Sequence, residues 1–176
     1  MCLHAGVDKT QSRVRPRTDD DVEACVRVLA EVHRRDGYPV NWPARPGEWL
    51  SQEAALGSWV AELDGRVAGH VSLSRSGEGD VAPVLWSERN GTSREQAAVV
   101  GRLFVAPQAR GHGIGALLMG RVVAEARHHG LHPVLDVVAS DTAAAALYER
   151  LGWTRLATVE QRWSPSQVVA VHCYAA

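Results

Sequence analysis

FVAPQARGHGIGALLMGRVV, residues 104–123, carries three alternating glycines, Gly111, Gly113 and Gly115, directly ahead of a helix-forming run. A helix N-terminus presents main-chain N–H groups that have no intrahelical partner, and its dipole favours negative charge. Glycines at that point let the backbone take positive φ and let a ligand approach without meeting a Cβ. Successive N–H groups then converge on an anion as a nest, so the segment reads as built for phosphate. On the residues alone, a tight strand-to-helix turn without a ligand is the plainer alternative. GHGIGA also fits a dinucleotide-binding G-x-G-x-x-A, with Asp136 about 20 residues further on. Against that reading, Pro107-Gln108-Ala109-Arg110 separates strand from glycines, and only about 40 residues follow the next strand. A nucleoside-triphosphate P-loop is excluded, because no Gly-Lys-Ser/Thr follows.

Outward from this segment, AAVVGRLFV reads as a buried strand ending at Pro107. The helix after the glycines runs through about His129 and closes at Gly130. PVLDVVA is the next strand, followed by a helix from Asp141 to Leu151, Gly152, and two strands near TRLATVEQ and VVAVHCY. Strand–helix–strand across residues 98–139 implies a parallel pair with a crossover helix. Upstream, SWVAEL and RVAGHVSLS flank Asp64-Gly65, a favoured hairpin turn. Val14 begins a short strand-like piece broken by Pro16. Thr18 then opens an amphipathic helix whose stripe is Val22, Cys25 or Val26, Leu29 and Val32. Thr18 and Asp21 have capping-box spacing, and the acids of that first turn complement the helix dipole. The span from Asp36 to Gly57 is irregular, with a short helix from about Glu48 to Leu56, and Ser74 to Asn90 reads as loop. Residues 1–12 read as a loose tail and 13–176 as a single domain, a mixed sheet covered by helices.

Hydrophobic residues make up 45% of the 176-residue chain and charged residues 22%, with a net charge of -1. These values fit one globular domain and point to neither a nucleic-acid polycation nor an acidic solvating tail. Lys9 is the only lysine, which reads as compositional bias. Cys2, Cys25 and Cys173 are odd in number and widely spaced, as in a reduced, cytoplasmic protein. MCLHAGVDKTQSR lacks a signal-peptide pattern, and no apolar run is long enough to span a membrane.

VAPQARGHGIGALL resembles the acetyl-CoA-binding signature of the GNAT superfamily, the acyl-CoA-dependent N-acyltransferases. Gln108, Gly111 and Gly113 match its Q/R-x-x-G-x-G/A, with the frequent Arg110 and the Ile114-Gly115 extension. A second block, VLDVVASDTAAAALYERLGW at 134–153, is similar to the family's L-E-V-x-x-x-N-x-x-A-x-x-L-Y-E-x-x-G-F. The resemblance is specific over residues 99–155 and extends by element order to about 13–176. It implies an α/β fold in which a mostly antiparallel twisted sheet, with one splayed parallel strand pair, is flanked by helices.

The resemblance also implies roles. The amides of Arg110, Gly111, His112, Gly113, Ile114 and Gly115 would hold the CoA pyrophosphate, with Gln108 closing the rim. Main-chain groups of Leu103, Phe104 and Val105 would pair with the pantetheine arm in the manner of a missing strand. Asp141 and Ala144 fall in the cofactor-binding block. Asp141 replaces the family's asparagine; it caps the helix equally well but cannot donate an amide hydrogen bond. Tyr148 matches the tyrosine that protonates the departing thiolate, a role suited to a phenol of pKa about 10 facing a thiol near 8.5. Its alternative is an amphipathic-helix aromatic packed beside Ala144 and Leu151. Asp136 matches the acidic position of L-E-V, a general base in some relatives, although one methylene shorter. His70 is a rival base with a suitable unperturbed pKa, and Glu88 a third option.

Trp42, Trp49 and Trp86, with His70, are candidates for the acceptor pocket, since the tryptophans fall in irregular segments; they would equally plug the core under a long loop. His128, His129 and His132 straddle a helix end, where histidines meet the dipole favourably, so no metal is expected. The reading is a cytoplasmic N-acetyltransferase that uses acetyl-CoA as cosubstrate to modify a primary amine, without nucleic-acid or membrane partners. The acceptor is a small metabolite, an antibiotic or a peptide N-terminus, and a family-typical homodimer is plausible. The alternative is a CoA-binding module that senses acyl-CoA or binds a partner without catalysis.

Overall fold

Asp64-Gly65 closes the hairpin between β2 (Ala55–Leu63) and β3 (Arg66–Arg75), with both turn residues at positive φ. That conformation matches the right-handed twist of the flanking strands. The computed structural model describes residues 11–52 and 55–176. The expected tail at 1–12 lies outside the described residues as far as residue 10, and Ser12 already pairs with Leu63 in β1 (Ser12–Pro16).

The sheet has seven strands in the order β1-β2-β3-β4-β5-β7-β6. Its other strands are β4 (Ala97–Val105), β5 (His132–Val138), β6 (Thr154–Ser164) and β7 (Gln167–Ala175). Every pairing is antiparallel except β4 with β5, joined by the crossover helix α4 (Ile114–His128). The remaining helices are α1 (Val22–Asp36), α2 (Pro46–Leu50), α3 (Val81–Asn90) and α5 (Thr142–Arg150).

Successive strand residues feed two apolar layers, as the period-two alternation of a strand requires. Ala98, Leu135 and Tyr174 join Leu29 of α1 and Leu118 of α4, whereas Ala97, Val134 and Cys173 join Ala82 of α3. α1 buries Cys25, Val28, Leu29 and Val32. At its start the Asp21 carboxylate accepts from the Thr18 amide at 2.8 Å, and Arg15 grips it at 2.7 Å while reaching Glu62 at 2.8 Å.

Two expectations are corrected. Ser74–Asn90 is not a loop throughout: it contains α3, preceded by Asp80 in extended conformation, whose carboxylate accepts from the Gly77 amide at 2.7 Å. Pro83 is the third residue of α3, in the first turn, where a missing N–H is harmless. The short helix expected over Glu48–Leu56 is Pro46–Leu50, started by proline at its first position, and Ala55 already belongs to β2. Among the described residues no helix is long and apolar enough to cross a membrane.

Candidate active site

The glycine turn has the conformation its composition demands. Gly111 and Gly113 sit at φ 83° and 73°, and a Cβ added to either would meet nothing within 4 Å. Positive φ, not crowding, therefore selects glycine there. The Leu117 amide closes the first turn of α4 onto the Gly113 carbonyl at 3.1 Å. Among the described residues, the amides from Gly111 to Ala116 have no such partner and point out of the helix mouth. Gly115 differs: its Cβ would approach Leu147 of α5 to 3.1 Å, so its bareness lets α5 close over the start of α4. These residues line a groove of about 650 Å³, together with Leu103, Phe104 and Val105 of β4 and the start of α5.

The pairing of β4 with β5 explains where the groove leads. Only Ala97–Val99 pair with His132–Val134; beyond them the strands diverge. A second cavity of about 330 Å³ lies against this gap, lined by Asp136, Val137 and Val138 of β5 and by Gly101, Arg102 and Leu103 of β4. The two cavities share Tyr38, Val40, Leu103, Val138, Asp141 and Ala144, so they meet at one wall.

Tyr148 lines the inner cavity with its ring packed between Trp153 and Tyr174, at centroid distances of 6.1 and 5.7 Å. Burial pushes its phenol far above the ordinary range, so it stays protonated. Asp136 lines the same cavity on the α3 side of the sheet, two residues after Val134 and opposite Cys173 in register. Its Oδ1 is buried without a hydrogen-bond partner. Burial pushes its pKa up, with the Cys173 thiol, the Ala82 amide and Gln161 opposing the shift. Asp141 caps α5, its Oδ1 accepting from the Ala144 amide at 3.0 Å. Cavity, apolar walls, a protonated phenol and a carboxylate of raised pKa together suit proton transfer away from bulk water.

Several expected site residues stand elsewhere. Gln108 is exposed, and neither it nor His112 lines either cavity. The Arg110 amide bonds the Pro107 carbonyl at 3.4 Å, which removes it from the free set; its guanidinium pairs with Asp36 at the groove wall. Of the tryptophans, Trp49 lines the inner cavity. Trp42 packs at 5.2 Å from His33, and Trp86 stacks on His132 at 4.7 Å, both outside the cavity linings.

His70 is no base for an acceptor. It is fully buried outside both linings, with Nδ1 2.9 Å from the Arg102 carbonyl and Nε2 3.2 Å from Arg17. Burial lowers its pKa to about 4. Glu88 is exposed on α3. Among the described residues no group of three His, Cys, Asp or Glu could hold a metal ion.

Sequence reasoning missed Tyr38, Arg102, Gln161 and Trp163, all in the inner lining. Tyr38 belongs to a loop and Gln161 and Trp163 to β6; the loop reaches the β6–β7 hairpin where Asn41 donates to Gln167, the first residue of β7, at 3.1 Å. No local signal marks them; only the alternation of β6 carried past Gln161 would have extended that strand to Trp163.

A model described as the acetyltransferase (GNAT) family matches residues 25–153. The chain belongs to that family. An uncharacterized N-acetyltransferase of Methanocaldococcus jannaschii is 25% identical over 145 residues, covering 80% of this chain. The chain spans only 59% of that relative's length. A putative acetyltransferase of Salmonella typhimurium, solved with acetyl-CoA, superposes with a TM-score of 0.68 at 20% identity, over 94% of this chain and 92% of that one. A ribosomal-protein-alanine N-acetyltransferase of Brucella melitensis gives 0.69 at 20% identity, over 93% and 98%. The GNAT architecture expected from the two motifs, mostly antiparallel with one parallel pair, is thus the one observed.

Proposed function

We propose that the protein is an N-acetyltransferase that moves an acetyl group from acetyl-CoA to a primary amine. The carrying observation is the joining of two cavities at the β4–β5 divergence, with bare helix-mouth amides in one and Tyr148 and Asp136 in the other. The cradle fits the cosubstrate: amides from Gly111 to Ala116 suit a pyrophosphate, and the unpaired edge of β4 from Val100 to Val105 suits an amide-bearing arm. The Salmonella neighbour solved with acetyl-CoA supports the same assignment.

Bound acetyl-CoA supplies a thioester carbonyl open to an amine, so that a C–N bond forms as the C–S bond breaks. Asp136 takes one proton from the incoming ammonium, and its raised pKa makes it a stronger base than an ordinary aspartate. Tyr148 gives its hydroxyl proton to the departing sulfur. The proton still on the acylated nitrogen returns to Tyr148 by way of solvent, so one proton is released per turnover. The buried free thiols of Cys25 and Cys173 support a reducing, cytoplasmic setting.

The test is thiol release from acetyl-CoA across a panel of amines, beside calorimetry with acetyl-CoA. Acetyl-CoA binding with amine-dependent thiol release is expected. Binding without release from any amine would remove the catalytic reading, and no binding at all would remove the whole proposal.

A further inference from the structure

Arg102 is held in a conformation that β4 does not otherwise adopt. Its φ is 51°, uncommon for a non-glycine residue and kept only where the surroundings enforce it. The register with β3 slips at this point, between His70 and Ser72. His70 Nδ1 donates to the Arg102 carbonyl at 2.9 Å, while Arg17 donates to Nε2 at 3.2 Å and so fixes the tautomer. On the side-chain side, Nε donates to the Trp49 carbonyl at 2.5 Å, and the guanidinium lies 4.5 Å from the Trp49 ring centre.

The guanidinium so placed lines the inner cavity and is half-buried. Among the described residues its partners are neutral: the Trp49 carbonyl accepts from it, and the Gln52 side-chain amide lies against it. No carboxylate among the described residues lies within ion-pair distance. Arg15, similarly enclosed, engages both Asp21 and Glu62. A cation withdrawn from water calls for an anionic partner, and the fork of a guanidinium matches a carboxylate. The same cavity carries Asp136, whose buried Oδ1 has no partner. Its wall therefore offers one cation, Arg102, and two acids; Asp141 is engaged as the cap of α5, which leaves Arg102 and Asp136 each wanting an opposite charge, with Trp49 and Trp163 among the apolar groups around them.

We propose that the acceptor is a zwitterion, an amino acid or close analogue, whose carboxylate Arg102 grips while its ammonium faces Asp136. The assignment rests on the acetyl-transfer reading above. Its test titrates CoA-loaded protein with α-, β- and γ-amino acids and with their carboxamides by calorimetry, and follows turnover of both sets by thiol release from acetyl-CoA. At least one free acid is expected to bind and to turn over with kcat/KM roughly 10- to 100-fold above its amide.

Arg102→Asn, which tolerates the left-handed backbone, is expected to abolish that preference through KM, and Arg102→Lys to restore part of it. Acetyl-CoA affinity of each variant reports that it is folded; should neither fold, the wild-type ratio of acid to amide decides alone. Amides or amidated peptides that serve as well as free acids overturn the proposal and leave acetyl transfer standing, as does a preference that survives both substitutions. Loss of acetyl-CoA binding in the wild type removes the acetyl-transfer reading, and this proposal with it.

Discussion

Tyr148 and Asp136 are driven in the same direction by the same cause. Burial raises both pKa values, which keeps a phenol protonated and makes a carboxylate more basic. Tyr148→Phe should lower kcat by about 100-fold with acetyl-CoA affinity unchanged, measured by thiol release and calorimetry. Asp136→Asn should remove the acid limb of the kcat/KM profile, and in the wild type that limb should lie above the ordinary carboxylate value of about 4. His70 makes a stability prediction instead. Its folded pKa of about 4 lies below the ordinary 6.5, so the unfolded chain binds more protons between those values. Stability should rise with pH across that window and be lost as pH falls through it. His70→Asn should flatten the dependence of Tm on pH between about 4 and 6.5.

The turn into α4 and the helix α3 behave oppositely as elements. Gly113→Ala should destabilise by about 1 kcal/mol through its left-handed backbone alone, since a Cβ meets nothing there. Urea denaturation checks that figure, and calorimetry should show weakened CoA binding alongside it. The chemistry of this turn is local, which is why Gly111 and Gly113 are legible in the sequence. The hairpin at Asp64-Gly65 was legible for the same reason. α3 was not: Val81, Ala82, Val84, Leu85 and Trp86 crowd together without a clean stripe, Pro83 reads as a breaker, and SGEGD precedes them. Its helix is selected by packing against β4, β5 and β7, which a local pattern does not encode.

For the whole molecule, the fold was more legible than the site. Element order and the parallel pair follow from periodicity, whereas Tyr38, Arg102, Gln161 and Trp163 converge only once the sheet is assembled. His70 shows the same limit: its residue type suggests a base, and only its burial between Arg17 and Arg102 assigns it to the scaffold. A second scaffold group sets the acid limit. Arg15 holds the Asp21 carboxylate well below its usual range, so its stabilisation is complete above about 4 and is lost as pH falls below that. Asp21→Asn should lower Tm at neutral pH and reduce its decline in acid.

Among the described residues, Ala97–Val99 with His132–Val134 is the only strand pairing between β1–β4 and β5–β7, with α3 and α4 packed across it. A sheet stitched along so short a length is mechanically two plates, and whatever fills the wedge acts as a keystone between them. Acetyl-CoA should therefore slow amide hydrogen exchange on both sides of the wedge, far from the glycine turn. At about 100-fold excess over its Kd it should stabilise the fold by about 2.7 kcal/mol, visible as a rise in Tm.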